Sequence, residues 1–406
     1  MSKDKPSYWI VVIAALGYFV DIYDLILFNV VKEASLTAIG VTGDEFKSLE
    51  ISLFNWQMFG MLLGGLIWGI LGDKKGRISV LFGSILMYSI ANILNGLVVN
   101  IDQYIACRFV AGVGLAGELG AGITLVSETM HKDKRGIGTM IIVSFGALGA
   151  VAAAFVGKLF PWNISYFIGG GLGIALLALR AGALESGMYN AIKSTHTLSK
   201  GNFLMLFNNR HRAFLYLQCI LIGIPIWFMI GVLINLSPRF VTIEGVSSKV
   251  LIGQAVMFTY IGLSAGDVVS GLLSQWLKSR KKVILIYLFL SVILVAYFLM
   301  DAHPTLNEFR FNCLLLGMGT GYWALFVQVA SENFGTNIRS TVTNTVPNFV
   351  RGAVVPITLS FKYLAEKTDV QNAAIIVGAV CLSLAIFALS FMKETFSKDL
   401  DYHEID

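Results

Sequence analysis

Long runs of apolar residues recur along the chain, and short segments between them hold most of the charges. A helix needs about 17 to 25 predominantly apolar residues to cross the hydrocarbon core of a bilayer. Runs of this length predict an all-α membrane protein with twelve transmembrane helices. The predicted spans are 8–31, 50–71, 78–98, 103–127, 136–160, 163–179, 213–236, 250–277, 283–300, 309–331, 340–363 and 372–392.

The spans fall into two pseudo-symmetric bundles of six, separated by a polar gap. The predicted units are a first bundle at 1–180, a cytoplasmic linker at 181–212, a second bundle at 213–393 and a disordered cytoplasmic tail at 394–406. Glu128 is followed seven residues later by Arg135, and Glu332 by Arg339 at the same spacing. Such parallel repeats of six helices are typical of secondary transporters.

The basic residues predict the orientation. Most of the 30 Lys and Arg residues lie in loops on the side of the N-terminus. Lys and Arg are enriched in cytoplasmic loops, so both termini are expected in the cytoplasm. The first run lacks a cleavage site and is too long for a signal peptide. The absence of organelle signals makes a bacterial inner membrane the expected location.

A charged motif lies between the second and third spans. It reads Gly69-x-x-x-Asp73-Lys74-x-Gly76-Arg77 and resembles the signature of the major facilitator superfamily, with Ile78 where that family has a further basic residue. The resemblance implies the two-bundle fold and a latch that holds one face closed. We group Glu128, Arg135, Glu332 and Arg339 with this motif as predicted latch residues.

Two further stretches resemble the metabolite–proton symporter and organic-ion branch of the same family. One is Arg108-x-x-x-Gly112-x-Gly114 in the fourth span, which continues through Glu118. The other is the sequence 21–24, Asp-Ile-Tyr-Asp, in the first span. A weaker resemblance connects the chain with phagosomal nutrient transporters of intracellular bacteria, several of which import amino acids.

Charges within the predicted spans indicate a proton site. A charge in a bilayer costs at least about 2.5 kcal/mol on insertion scales, so such groups should face a cavity or pair with each other. Asp21 and Asp24 are three residues apart and share one helix face. We predict that Asp21, Asp24 and Glu118, with Arg108, bind the driving proton. A structural ion pair or packing role is the alternative for each, and for Asp267, which is expected toward the cytoplasmic end of its helix.

Arg351 lies in the middle of the eleventh span and needs an anionic partner. That partner is either an acid of the protein, such as Asp267 or an acid of the first helix, or the carboxylate of the solute, which a guanidinium binds in a bidentate manner. An amino acid would also offer an ammonium group to the first-helix acids. The other predicted substrate-binding residues are polar or aromatic positions within the spans: Asn344, Asn348, Tyr23, Gln57, Trp227, Gln254 and Tyr322.

Composition excludes several classes. The chain is 56% hydrophobic and 14% charged, with basic residues scattered among loops, so nucleic acid is not an expected partner. No nucleotide-binding loop or metal-ligand spacing occurs, so we expect no cofactor, no metal and no enzyme activity.

The favoured function is proton-coupled uptake of a small carboxylate-bearing metabolite, either an amino acid or an organic acid, by a monomer. The expected partners are the solute, protons and the lipid bilayer. A proton-driven exporter of metabolites or drugs is one alternative, although helix five lacks the Gly-Pro element usual in such antiporters. A transporter-like nutrient sensor is another alternative.

Overall fold

The computed structural model describes residues 8–41, 43–131, 134–185, 201–300, 305–398 and 402–404. Its first half contains seven helices, of which α4 and α5 are two parts of a single span. They are α1 (Tyr8–Ala38), α2 (Asp44–Lys75), α3 (Arg77–Asn95), α4 (Ile101–Leu115), α5 (Glu118–Thr129), α6 (Arg135–Leu159) and α7 (Trp162–Glu185).

A short helix, α8 (Met205–Asn208), leads into the second half, where three spans are interrupted. The helices are α9 (Arg210–Phe228), α10 (Ser248–Leu277), α11 (Arg280–Met300), α12 (Leu306–Thr320), α13 (Trp323–Asn333), α14 (Arg339–Gly352), α15 (Val354–Lys367) and α16 (Val370–Phe391). A π-helical segment (Met229–Ile234) follows α9, and a short 3-10 helix (Ser237–Arg239) follows that segment.

Among the described residues, eleven helical stretches are long and apolar enough to cross a membrane. The predicted eleventh span corresponds to α14 and α15, each 14 residues long. Ser, Thr and Asn occupy much of α14, so its mean hydropathy is low. Counted as one interrupted span, α14 and α15 complete the predicted twelve, and the all-α fold class is confirmed.

The interrupted spans leave backbone groups that side chains must satisfy. Between α12 and α13 the chain turns at Gly321, and Asp267 Oδ1 accepts a 2.9 Å hydrogen bond from the Ala324 amide in the first turn of α13. Asp267 lies in the C-terminal half of α10, and its carboxylate caps a helix in the bundle interior, where it is fully buried.

The two halves meet at the end of the bundle that contains residues 72–77, which we call the latch end. There α14 packs against α2 and α5, and α6 packs against α10. A Cβ atom on Gly69 would lie 2.8 Å from Thr341 Cα, so glycine permits this close approach. In contrast, α15 packs mainly against α16 and the π-helical segment of its own half. The main contacts between the halves thus concentrate at the latch end.

The predicted linker and tail need correction. Helix α7 continues to Glu185, beyond the predicted end of the sixth span at residue 179, and Arg180 is a buried helical residue. The tail was predicted to be disordered, but Tyr402 donates a 2.8 Å hydrogen bond to the Asn333 carbonyl and Glu404 pairs with Arg212 at 3.2 Å. The remaining parts of these segments, 186–200, 399–401 and 405–406, lie outside the described residues, as do the loop lysines at 3, 5, 132, 193 and 200.

Candidate functional site

A small cavity lies between the two halves, in the middle of the bundle. The first half contributes residues of α1 and α6, and the second half contributes α9, the π-helical segment, α10, α13 and α14. The lining residues are Tyr18, Ile22, Ala147, Ile226, Trp227, Ile230, Tyr260, Leu263, Trp323 and Arg351.

Arg351 is the one charged residue in this lining. Its Nη1 donates to Asn348 Oδ1 at 3.1 Å, and its Nη2 donates to the Tyr18 hydroxyl at 3.4 Å. The guanidinium also lies over the Trp323 ring, 5.5 Å from its centroid. Its Nε is buried without a hydrogen-bond partner among the described residues. The cation is held in place and retains an unused donor.

The first-helix acids face different surroundings. Asp21 Oδ2 lies 3.9 Å from Arg351 Nη2, beyond hydrogen-bonding distance. Asp24 is turned into the interior of the first half, where its Oδ1 packs against Gly169 of α7. Neither carboxylate makes a hydrogen bond to any described residue, although both are fully buried. A buried polar group without a partner costs about 1–3 kcal/mol, and a charged one more. The ionised form of both acids is therefore destabilised by burial.

Glu118 lies in a different environment from the other predicted proton-site acids. Its two carboxylate oxygens accept hydrogen bonds from Arg180 Nη1 and Nη2 at 2.9 and 2.8 Å, and Ser84 Oγ donates to it at 2.9 Å. All three side chains are fully or almost fully buried. This bidentate pair joins α5 to α7, as in the structural alternative considered for Glu118.

Arg108 likewise lies within the first half. It donates a hydrogen bond to Gln57, and its guanidinium lies over the Phe28 ring at 4.7 Å. Its Nε and Nη1 have no partner among the described residues. Both Arg108 and Gln57 are fully buried and stand apart from the cavity lining.

The predicted substrate residues separate into two sets. Arg351 and Trp227 line the cavity, and Asn348 contacts Arg351 directly. The others contact helix backbones or side chains elsewhere. Asn344 donates to the Ser340 carbonyl, Tyr23 to the Ser165 carbonyl and Tyr322 to the Ile222 carbonyl, while Gln254 accepts from Arg310.

The latch motif connects the halves through Asp73. Its carboxylate accepts hydrogen bonds from the Ser340 amide at 3.0 Å, the Thr341 amide at 2.8 Å and the Thr341 hydroxyl at 2.6 Å. These donors form the first turn of α14, where the helix dipole favours an anion. Gly76 has φ +93°, a conformation that glycine adopts readily, and turns the chain from α2 into α3.

Ion pairs surround Asp73. Arg77 pairs with Asp73 at 3.0 Å and with Glu128 at 2.7 Å, and Arg339 of the second half lies 3.6 Å from Glu128. Of the other predicted latch residues, Glu332 lies 3.6 Å from Arg280, Arg135 donates to the Met130 carbonyl, and Lys74 is exposed. The Arg77–Glu128 and Arg280–Glu332 pairs occupy equivalent places in the two halves, which supports the predicted repeat.

Residue-type reasoning missed the aliphatic part of the lining, since Ile22, Ala147 and Leu263 carry no chemical signal in the sequence. Tyr18 could have been selected, because it lies three residues before Asp21 on the same helix face. Among the described residues, no cluster of His, Cys, Asp and Glu could hold a metal ion.

The family model described as Major Facilitator Superfamily matches residues 14–357, most of the chain. The chain is a member of the major facilitator superfamily. Its structure also resembles that of the proton:xylose symporter XylE bound to 6-bromo-6-deoxy-D-glucose, with a TM-score of 0.74, 15% identity and coverage of 97% of each chain. This major facilitator protein is thus a membrane transporter rather than an enzyme.

Curated relatives match over most of their length. The gentisate transporter of Corynebacterium glutamicum is 25% identical, over 94% of this chain and 88% of that protein. The niacin transporter NiaP of Acinetobacter baylyi is 24% identical, over 84% of each.

Proposed function

We propose that this major facilitator protein imports a small aromatic carboxylate together with protons, as a monomer in a bacterial inner membrane. The observation that carries the proposal is Arg351, a fixed cation with an unused donor in an otherwise uncharged cavity. A guanidinium in such a place attracts a carboxylate strongly, because the surrounding dielectric is low and water competes little.

The rest of the lining favours a flat apolar body behind the carboxylate. Trp227, Tyr260 and Trp323 supply aromatic surface, and isoleucine and leucine side chains fill the gaps between them. Aromatic rings prefer offset or edge contacts with other rings, which adds affinity beyond simple burial. The named relatives transport gentisate and niacin, and both solutes are aromatic acids.

An amino acid fits less well than the sequence led us to expect. Its ammonium group would need a carboxylate in the cavity that is not already matched. Asp21 lies beside Arg351, and Asp24 is turned into the first half. The lining therefore offers no separate anion for an ammonium group, and the named relatives give no support for amino-acid transport.

The loose contact between Asp21 and Arg351 supports proton coupling. When Asp21 is ionised, it partly neutralises Arg351 and competes with the solute for it. When Asp21 is protonated, the guanidinium has no anionic partner in the lining and attracts the solute carboxylate. Binding of the proton and binding of the solute therefore favour each other, as linkage requires of a symporter.

The direction of transport follows from the orientation. We propose that the latch end faces the cytoplasm, because most loop Lys and Arg residues lie at that end. With the halves joined there, the conformation described is closed to the cytoplasm. An inward proton gradient would then load Asp21 and Asp24 from outside and drive the solute inward.

Binding measurements with purified protein test the proposal. A monocyclic aromatic carboxylate should bind far more tightly than its methyl ester, and Arg351→Lys should weaken binding of the acid by about 10- to 100-fold, equivalent to about 1.5–3 kcal/mol. Arg310→Lys, a change of the same type outside the lining, should leave binding unchanged. If the ester binds the wild-type protein as tightly as the acid does, Arg351 is not the carboxylate receptor.

A further inference from the structure

A stripe of polar residues runs along one face of α3. Ser84, Tyr88, Asn92 and Asn95 follow each other at spacings of three or four residues, so they share a helix face. All four are fully buried. The opposite face carries Leu86, Ile90 and Leu94, each about half exposed as expected of a surface that meets lipid. The polar stripe therefore faces the interior of the first half.

The stripe connects two of the buried acids of the first half, Glu118 and Asp24. Near the latch end, Ser84 donates to Glu118, which is paired with Arg180. The Tyr88 hydroxyl lies within electrostatic range of both Glu118 and Asp24. One turn further along, Asn92 lies beside the Asp24 carboxylate. Asn95 ends α3 at the end of the bundle opposite the latch.

Most polar atoms of the stripe lack hydrogen-bond partners. The Tyr88 hydroxyl, both polar atoms of the Asn92 and Asn95 amides and both Asp24 oxygens make no well-formed hydrogen bond to any described residue. Buried polar groups in proteins are almost always satisfied, by protein or by ordered water. Four helices, α2, α4, α5 and α7, pack against α3, so chance exposure to solvent does not explain the unused groups. They are arranged as a path that water molecules can complete.

The charges along the path favour a proton over a metal cation. Arg108, within electrostatic range of Asp24, holds a permanent positive charge that would oppose a bound metal ion. A proton instead neutralises Asp24 and needs no coordination shell. The remaining titratable groups around Asp24 are Tyr88 of α3, Tyr166 of α7, and Asp21 and Tyr23 of its own helix.

Arg180 closes the path on the latch side. Its guanidinium is fully buried between Glu118 and the carbonyls of Leu81 and Ile13. A fixed positive charge at a constriction excludes protons, as it does in selective pores. The row of polar groups is therefore blocked at the latch end, and its other end is Asn95.

We propose that the driving proton reaches Asp24 through the interior of the first half, along Asn95 and Asn92, and not through the solute cavity. Hydronium at the end opposite the latch donates its proton through hydrogen-bonded water to the Asp24 carboxylate, and water is left behind. Asp24 then passes the proton to Asp21, one turn back on α1, and returns to the ionised form. Protonated Asp21 leaves Arg351 to the solute. This path rests on the proposed proton-coupled function and assigns Asn92 and Asn95 as positioning residues within it.

Asn92→Leu tests the path. In proteoliposomes, proton-driven accumulation by this variant should be slower by about tenfold or more, because a proton relay typically contributes at least that factor. Solute counterflow at equal pH on both sides, and solute affinity, should stay near wild type, because the variant leaves the cavity intact. Asn92→Ser should recover most of the accumulation, since its hydroxyl and smaller volume allow water to enter.

Asn312→Leu is the matched control, because it makes the same change at a buried asparagine of the second half. It should retain both accumulation and counterflow. If Asn92→Leu does not yield folded protein, the same comparison is made with Asn95→Leu and Asn95→Ser, at the helix end.

Wild-type accumulation by Asn92→Leu would overturn the path, and so would an equal loss of counterflow and accumulation. Accumulation that follows a sodium gradient at constant pH would also overturn it, and would assign Asp24 and Asn92 to a sodium site. If the wild-type protein itself shows no dependence on the proton gradient, the proposed function fails, and this result is distinct from a failure of the path alone.

Discussion

Replacing Asp73 with asparagine removes the strongest polar connection between the two halves. The wild-type carboxylate accepts three hydrogen bonds from the first turn of α14, at 2.6 to 3.0 Å, and also pairs with Arg77. The side-chain amide has nearly the same shape but no charge, and its NH₂ group cannot accept from the backbone amides. The variant therefore retains one accepting oxygen and loses the attraction to the helix N-terminus and to Arg77.

The size of the effect follows from these contacts. Hydrogen bonds to a charged group contribute about 1.5–3 kcal/mol each, and a charge at a helix N-terminus adds about 0.3–1 kcal/mol. Allowing for the bonds that the amide retains, we expect the latch-closed conformation to lose about 2–4 kcal/mol. Because about 1.4 kcal/mol changes an equilibrium tenfold, the ratio of latch-closed to latch-open protein should fall roughly 30- to 1,000-fold.

Distance measurements between spin labels can detect this shift. Ser79 and Lys282 are exposed near the latch end on opposite halves. In a protein whose native cysteines have been replaced, spin labels attached at these two positions report the separation of the halves. Asp73→Asn should shift the distribution toward longer distances and lower the turnover of transport. Asp102→Asn, at an exposed acid on the opposite end, is the control. An unchanged distribution in Asp73→Asn would refute the latch.

Further predictions concern the buried acids and the tail. Asp24→Asn should retain counterflow but lose accumulation, since the solute cavity is intact while the proton carrier is gone. Glu118→Gln should destabilise the folded protein by about 3–5 kcal/mol, because it leaves Arg180 buried without its anion. The thermal unfolding midpoint in detergent should therefore fall strongly, and a midpoint near wild type would contradict the structural role. Burial alone would raise the pKa of Glu394, but hydrogen bonds from Ser279 and neighbouring amides lower it overall. Since its folded pKa lies below the unfolded value of about 4.3, its stabilisation should persist from pH 7 to pH 5 and fade only below that value, as unfolding midpoints of the wild-type protein and Glu394→Gln at each pH would show.

The helices and the latch could be predicted from sequence because both rest on local patterns. Apolar run length reports bilayer thickness directly, and the Gly69–Arg77 motif lies in a single loop. The polar composition of α14 lowers its hydropathy, yet residues 340–363 were still predicted as a single span. Its polar residues were predicted to bind solute, but several are used to pack α14 against α2 and α5.

The partners of the buried charges could not be predicted. Glu118 and Arg180 are separated by 62 positions. The predicted sixth span ended at residue 179, just before Arg180, because that apolar run was already long enough to span. Nothing local indicates that α7 continues by another turn. The directions in which Asp21 and Asp24 point could not be predicted either, because residues three apart share a helix face only approximately. Here Asp21 lies near Arg351, and Asp24 points into the interior of the first half.

Uptake into proteoliposomes tests proton-coupled carboxylate import most directly. The purified protein is reconstituted into vesicles with an alkaline interior. The external buffer is acidic and holds a labelled aromatic carboxylate. We expect accumulation above the outside concentration, to a level greater than in protein-free vesicles, and collapse of that gradient when a protonophore is added. Retention of the accumulated solute after the proton gradient is abolished, or the absence of accumulation by protein that binds the solute, would contradict proton-coupled import.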